Sequence, residues 1–554
     1  MSRRSLLRGA GLSLLALIPA PVLEACAGTR PKPRPTPSLR AANVAVEAIA
    51  SPVRTFNPVL AADGPSEAAA AMLFDSLYTP DYDGSPRPLL ASAAPEVAAD
   101  GTHVTVRLRD ARWSDGEPIT SADVAFTYGL LSLPAMASLP SPLRPQVAPH
   151  LTQVSAPDPQ TAVFQLTQPY GPFLTTQLDI GLLPQHVYGG LSAEAIATSS
   201  LNLAPKVVSG PFGGVVSGAG GSVSLSPNAG YHGGRPKVAS YVLTVVPDAA
   251  DRWRMLREGS IDIAYDLDPQ TVAGAQGGAH HLRISTFPSL SYVTYMYNLD
   301  PAKSQIFQDA RVRQALYRAL DRPTMARAIY LGLATVAGAV EHPASWVYLA
   351  DDPAYDYDPG QAEQLLGEAG FHLGADGIRA NGDVKLQFQM LTSQEDPALE
   401  KVLVAMQQGW KDIGIDAIPI DVSTAEVLDP ELQTERTFEV ALTTGRLALD
   451  PDEQGLWSQT ASAPGGLNAM DYRNPDLDGI LSVALATMDP VQRRRLYQDM
   501  QRTLATDVPA PFLLFIDEAV VTSTRVHGFT PNAFADRFAG RRRFISLVQC
   551  SPPR

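Results

Sequence analysis

The residue types that carry out covalent chemistry are sparse in this chain and poorly spaced for it. The 554 residues include nine histidines and two cysteines, Cys26 and Cys550. Neither cysteine has a CxxC partner, which excludes zinc ribbons and redox pairs. No GxSxG elbow, HExxH helix, P-loop or paired zinc spacing occurs. His280-His281 is the one histidine cluster. It follows "GAQGGA" and reads as a solvated loop rather than a pair of metal ligands. The Gly-rich run "SGPFGGVVSGAGGSVSLSPNAGYHGGRP" (209–236) lacks the last Gly of GxGxxG after Gly218-Ala-Gly220, and no helix follows. Val223 and Leu225 alternate with serines there, so the run predicts hairpin loops and not a phosphate cradle. The chemistry left is non-covalent binding, with no cofactor and no metal expected.

The elements that must position a binding site are easier to read. "RWSDGEPITSADVAF" (112–126) joins a Trp, a turn dipeptide and a helix start. Asp115-Gly116 suits a tight turn, because Gly accepts positive φ and Asp can bond its own backbone. Thr120 with Asp123 reads as a capping box. His103 to Arg109 alternates as a half-buried strand, and 147–166 suggests a hairpin turning near Pro157-Asp-Pro159. A helix is expected over Ser66 to Leu77 with Ser66 as cap. Asp309, Asp321, Asp358, Asp396 and Asp489 open further helices, several as Asp-Pro, and Gly332, Gly370 and Gly414 stop three of them. Strands over 385–390, 415–420 and 439–443 lie between. This is α/β organisation.

Composition sets the class. A chain of this length, 45% hydrophobic, buries a core of ordinary size. Its net charge of −14 argues against a nucleic-acid binder, which needs a basic face. No apolar run is long enough to span a bilayer as a helix. Residues 1–25 read as an export signal: Arg3, Arg4 and Arg8, then an apolar stretch to Val22. Arg3-Arg4 resembles a twin-arginine signal, and an ordinary signal peptide is the alternative. Leu23-Glu24-Ala25-Cys26 looks like a lipoprotein box, with lipid on Cys26. Ala25-Cys26-Ala27 also fits a small-x-small cleavage site. "TRPKPRPTPS" (29–38) is an extended Pro-rich tether, which suits an anchored protein.

Five ordered segments carry a family likeness: "VRLRDARWSDGEPITSADVAFTY", "SGPF…SPNAGYHGGRP", "LREGSIDIAYDL", "DARVRQALYRALDRPTMARAIYLGLA" and "YDPGQAEQLLGEAGF". Together they resemble the family 5 extracellular solute-binding proteins of peptide, nickel and related ABC importers. The resemblance implies a two-lobed periplasmic-binding-protein-like fold of type II, with an extra subdomain in the first lobe and two hinge crossings. These are expected near Tyr295 to Leu299 and Pro511 to Phe515. The division this implies is signal 1–25, tether 26–40, lobe I 41–77 with 206–297 and 512–550, extra subdomain 78–205, and lobe II 298–511. It further implies a monomer that captures an oligopeptide or related small solute by lobe closure, tethered through lipid, and delivers it to a membrane permease. A stand-alone sensor or chaperone-like binder, or a hydrolase built on the cleft, are the alternatives.

The resemblance also suggests site residues. If Asp450-Pro451 is the family's Asp-Pro, Leu447 stands where peptide-binding relatives carry an acid for the ligand's amino group. Arg446 sits beside it and is positioned to grip a carboxylate or phosphate. Asp450 and Trp457 belong to the same stretch, and Asp63 and Tyr292 lie where relatives line the cleft. With Leu447 apolar, weak binding of ordinary free-amine peptides is expected.

Overall fold

The computed structural model describes residues 43–81, 83–275, 281–350, 355–393, 396–422, 434–528 and 549–550. The expected signal segment, the tether, Cys26 and His280 lie outside these.

Runs of β-branched and aromatic residues build one large sheet. Among the described residues its eleven strands are β1 (Val44–Ile49), β2 (Phe212–Ser217), β3 (Val223–Pro227), β4 (Ser240–Val245), β5 (Ile263–Ala264), β6 (Leu282–Tyr297), β7 (Ala334–Val336), β8 (Gln387–Ser393), β9 (Asp416–Val422), β10 (Val440–Arg446) and β11 (Phe512–Ser523). The order across it is β9-β8-β10-β6-β11-β5-β1-β4-β3-β2, with β7 pairing β11. In the first lobe β1 runs parallel to β4 and β5. In the second, β8 runs parallel to β9 and β10. Parallel neighbours need crossover connections, which the intervening helices provide.

The two long strands β6 and β11 join these halves. β11 pairs with β5 through Val521 and Thr522, while β6 pairs with β10 from Ser291 to Tyr297. Their mutual antiparallel ladder is interrupted between Pro288 and Tyr292, facing Phe515 to Asp517. Pro288 has no N–H to donate. Ser289 fills in: its hydroxyl donates to the Ile516 carbonyl at 2.7 Å and accepts from the Ser291 N–H. Here first-lobe partners give way to second-lobe partners. This is earlier in β6 and later in β11 than the crossings expected from sequence. Apolar content marks where a strand runs, not which neighbour it bonds.

Each lobe has its own core. In the first, Ala45, Phe56, Leu73, Phe212 and Tyr241 pack continuously with Val104, Tyr128 and Phe164 of the extra subdomain. In the second, Tyr295, Phe307, Leu316, Phe388 and Trp410 form the centre. The subdomain is a four-stranded sheet in the order Glu96–Val97, His103–Arg107, Thr161–Leu166, Leu151–Asp158, packed by helix Ser121–Ser132. Asp123 is a structural hub within it. It accepts from Thr120 N at 2.8 Å, Trp113 Nε1 at 3.3 Å and Gln185 N at 2.8 Å. The Trp113 stretch therefore builds fold.

The aspartates read as caps behave as caps: Asp309, Asp321, Asp358, Asp396 and Asp489 each accept a first-turn N–H. One cap differs from expectation. Asp63, not Ser66, caps helix Gly64–Leu73, and Ser66 donates both its N–H and its hydroxyl to the Asp63 carboxylate at 3.0 Å. Pro65 fits the first turn, where no N–H is needed, so the helix begins two residues earlier than Ser66 and ends at Leu73.

A buried ion pair within the second lobe also receives a contact from the subdomain. Arg493, in helix Pro490–Asp507, grips Asp450 with both terminal nitrogens, at 2.5 and 2.6 Å. Both side chains are 3% exposed. The Thr175 hydroxyl of the subdomain donates to the same carboxylate. Gly171 N nearby donates to Leu485 O at 2.7 Å. A Cβ on Gly171 would fall 2.5 Å from Arg493 Nε, so the close approach requires glycine. Removing one partner of such a pair strands a buried charge. Asp450→Asn should therefore lower stability by roughly 3–5 kcal/mol in urea unfolding. A loss below about 1 kcal/mol, as for a surface pair, would show that the site is solvated.

Candidate ligand-binding site

Side chains alternate across a strand, and β6 uses both faces. Val293, Tyr295 and Tyr297 enter the second-lobe core. Tyr292, Thr294 and Met296 point the other way and line a cavity of about 400 Å³. Thr443 to Arg446 at the end of β10 supply a second wall, and Leu447, Ala448, Asp452, Glu453 and Leu456 of the segment after it a third. Met470 and Phe512 complete the apolar part. Gly445 lies opposite Tyr292 in the ladder. A Cβ there would sit 2.3 Å from the Tyr292 ring. Glycine thus lets that ring fold across β10 and stack on Phe512, centroids 3.9 Å apart and 12° from parallel.

Of the residues expected from sequence to meet a ligand, the structure puts Tyr292 and Arg446 on this cavity. Arg446 is 45% exposed, and the Glu518 carboxylate stands 4.0 Å away. The other three are employed elsewhere. Asp450 is held by Arg493 and Thr175 beneath the loop. Trp457 is core, packed near Phe512, with its indole N–H donated to Glu453 Oε2. Asp63 is the helix cap described above. None of these three lines the cavity, because each already has partners that its own element demands.

Sequence reasoning passed over the two carboxyls that do line it, Asp452 and Glu453. Leu447 faces the cavity as expected, yet the expectation that nothing there would meet a free amino group does not follow. The loop turns back and brings Asp452 and Glu453 to the wall. The cluster of three acids, Asp450, Asp452 and Glu453, inside "LALDPDEQGLW" was the available signal. Their environment is unusual. Burial pushes the Glu453 carboxyl up to about 7, against the pull of the Trp457 hydrogen bond and with a further push from Asp452. Burial likewise raises Asp452, offset by the Gln454 N–H and by Arg493. Glu341 is raised well above the carboxylate range by burial and then by Glu453. Burial holds the neighbouring His342 imidazole down at about 4. Among the described residues no group of three or more His, Cys, Asp or Glu is placed to hold a metal ion.

The comparison with known proteins identifies the architecture. The family model for bacterial extracellular solute-binding proteins, family 5, middle region, matches residues 85–466. The chain belongs to this family. Protein XP55 of Streptomyces lividans is 30% identical over 502 residues, covering 88% of this chain and 86% of that one. The oligopeptide-binding protein AppA of Bacillus subtilis is 27% identical over 527 residues, covering 94% and 95%. The structure of AppA in complex with a nonapeptide aligns with a TM-score of 0.65 at 25% identity, over 92% of this chain and 99% of that one. HbpA2 of Haemophilus parasuis shares the fold with a TM-score of 0.78 at 20% identity, covering 92% and 100%. This family 5 protein is thus a two-lobed, extracytoplasmic binding protein, and its candidate cavity lies on the second-lobe side of the joint between lobes.

The raised Glu453 carboxyl has a stability consequence with a definite sign. The folded chain keeps a proton that the unfolded chain releases near pH 4.5. The stability this group contributes is full below about pH 4.5 and is lost as pH rises through about 7. Glu453→Gln removes that loss and keeps an oxygen for the Trp457 N–H. The variant's stability relative to wild type should therefore rise by on the order of 2–3 kcal/mol between pH 4.5 and pH 8 in urea melts. A difference independent of pH would show that Glu453 titrates as an ordinary surface acid.

Proposed function

We propose that this protein is the solute-binding component of an ABC importer, that it captures a short peptide or a similar small solute in the 400 Å³ cavity beside the joint of its lobes, and that it delivers it to a membrane permease. The observation that carries this reading is the cavity itself. It lies beside the point where β6 and β11 change partners, so relative motion of the lobes opens or closes it. Its volume falls in the ordinary range for small-molecule sites. We take Tyr292 and Arg446 as ligand contacts, the ring as a stacking surface and the guanidinium as the partner for a ligand carboxylate. We take 78–205 as the extra subdomain, with the lobes changing over near Pro288–Tyr292 in β6 and Phe515–Asp517 in β11. Relatives named as peptide-binding support the peptide class.

Native mass spectrometry of the protein exposed to a peptide digest should find a bound peptide. Scattering should show compaction, and the bound state should gain about 2.7 kcal/mol at a ligand concentration a hundred times Kd. Arg446→Ala should weaken that binding by about 1.5–3 kcal/mol with little change in melting temperature. A protein that takes up nothing and does not compact fails this reading.

We further propose that residues 1–25 are an export signal with twin-arginine character and that Cys26 carries lipid, with the Pro-rich segment as tether. Cys26→Ser should move the protein from the membrane fraction to the soluble one. A wild-type protein that is already soluble, with Gly28 at its amino terminus, would refute the anchor.

A further inference from the structure

The apolar rim of the cavity carries a side chain that the fold does not use. Leu467 lines the cavity and is 56% exposed, while Leu447 and Met470 in the same cavity are buried. The loop that bears Leu467 is tied down on both sides of it. Gly466 N donates to Ala463 O at 2.8 Å, and Asn468 N donates to Ala461 O at 3.2 Å. A Cβ on Gly466 would fall 2.1 Å from Ala461 O, so this turn requires glycine. Asn468 is fully buried. Its side-chain amide donates to Ser458 O at 3.0 Å and to Tyr472 O at 2.8 Å, and its side-chain oxygen accepts from Tyr472 N at 3.1 Å. The backbone therefore holds Leu467 in water at the cavity rim, where its carbon surface gains nothing from folding.

A single exposed leucine is ordinary on a protein surface. What sets this one apart is the glycine it faces. Gly455 lies in helix Gln454–Trp457 and also lines the cavity. It is not among the glycines with positive φ. A Cβ there would meet only Leu467 Cδ1 within 4 Å, at 3.8 Å, which is ordinary van der Waals contact. Neither the backbone nor the packing demands glycine, unlike at Gly445, and in a helical turn glycine is less stable than alanine. What the glycine keeps is space: a slot between Gly455 and Leu467, beside Leu456 and open to the cavity. We infer that this slot is a side-chain subsite that takes an apolar side chain of the solute, of about leucine size, and so selects among peptides. The inference rests on the reading of this cavity as the solute site and adds a specificity to it. An apolar side chain seated against Leu467 removes carbon surface of both from water. A polar one of the same size would lose hydration there without a partner.

Calorimetry with trialanine, and with tripeptides in which one alanine at a time is replaced by leucine or by asparagine, tests it. At one position the leucine peptide should bind at least about tenfold more tightly than both the alanine and the asparagine peptides. Leu467→Ser, which removes the apolar face, and Gly455→Leu, which fills the slot, should each cut that preference to about threefold or less. Gly455→Ala narrows the slot by one methyl group; it should weaken the preference while melting at or above the wild-type temperature, which separates loss of the subsite from loss of the fold. Equal affinity of wild type for the alanine, leucine and asparagine peptides overturns the subsite while peptide capture stands. So does a leucine preference that survives these substitutions. If no tripeptide binds, the peptide reading fails, and isoamyl alcohol reads the slot by itself in methyl NMR spectra. A saturable shift of the Leu467 methyl resonances, lost in Gly455→Leu, upholds the apolar subsite, and the absence of any shift overturns it.

Discussion

The buried pair between Asp450 and Arg493 is the constraint on which the site depends. Two charges with almost no exposure are tolerable only if each is the other's partner in good geometry. Here the guanidinium meets both carboxylate oxygens, and Thr175 supplies a further donor. Fixing Asp450 fixes the loop around it. Asp452 N donates to Asp450 Oδ1 at 3.0 Å, and Gln454 N donates to Asp452 Oδ1 at 3.2 Å. Helix Gln454–Trp457 then starts with Glu453 at its mouth and ends with Trp457 in the core. Thr175 brings the subdomain to the same carboxylate, so the cavity wall and the contact of the second lobe with the subdomain share one anchor.

The second requirement is a sheet that is continuous and still able to bend. β6 and β11 are long enough to belong to both lobes, and the ladder between them shifts register between Pro288 and Tyr292 and again between Val293 and Thr294. Between Pro288 and Tyr292 no ladder bond to β11 has to break for the backbone to bend, and Ser289 keeps the local polar groups satisfied. Because β6 alternates, the strand that bends also carries a cavity wall on one face and core on the other. Motion at the joint and the shape of the site are therefore mechanically coupled, as hinge closure demands.

The electrostatics of the cavity follow from its burial. Carboxyls placed among Leu447, Leu456, Met296 and Phe512 lose hydration, and the neutral form gains. Indole donation to Glu453 recovers part of that loss and leaves the rest to be met by a proton or by a ligand. The half-exposed Arg446 keeps its hydration and is screened.

Local chemistry was legible in the sequence. Aspartates before helices, several followed by proline, cap those helices because first-turn N–H groups need acceptors wherever the helix is found. Glycines 332, 370 and 414 have positive φ, a backbone property that no neighbour needs to supply. The capping box at Thr120 and Asp123 and the hairpin at 151–166 are of the same kind. The family segments identify the two-lobed architecture. Placement of the site residues was not legible, except for Tyr292 within β6 and Arg446 at the end of β10, which lie opposite each other's neighbours in one ladder. Whether Asp450 or Glu453 faces the cavity depends on Arg493, 43 residues further along, and on Thr175, 275 residues earlier. Sequence determines which groups need partners. Only the tertiary structure decides which of them find those partners inside the protein and which are left facing the cavity.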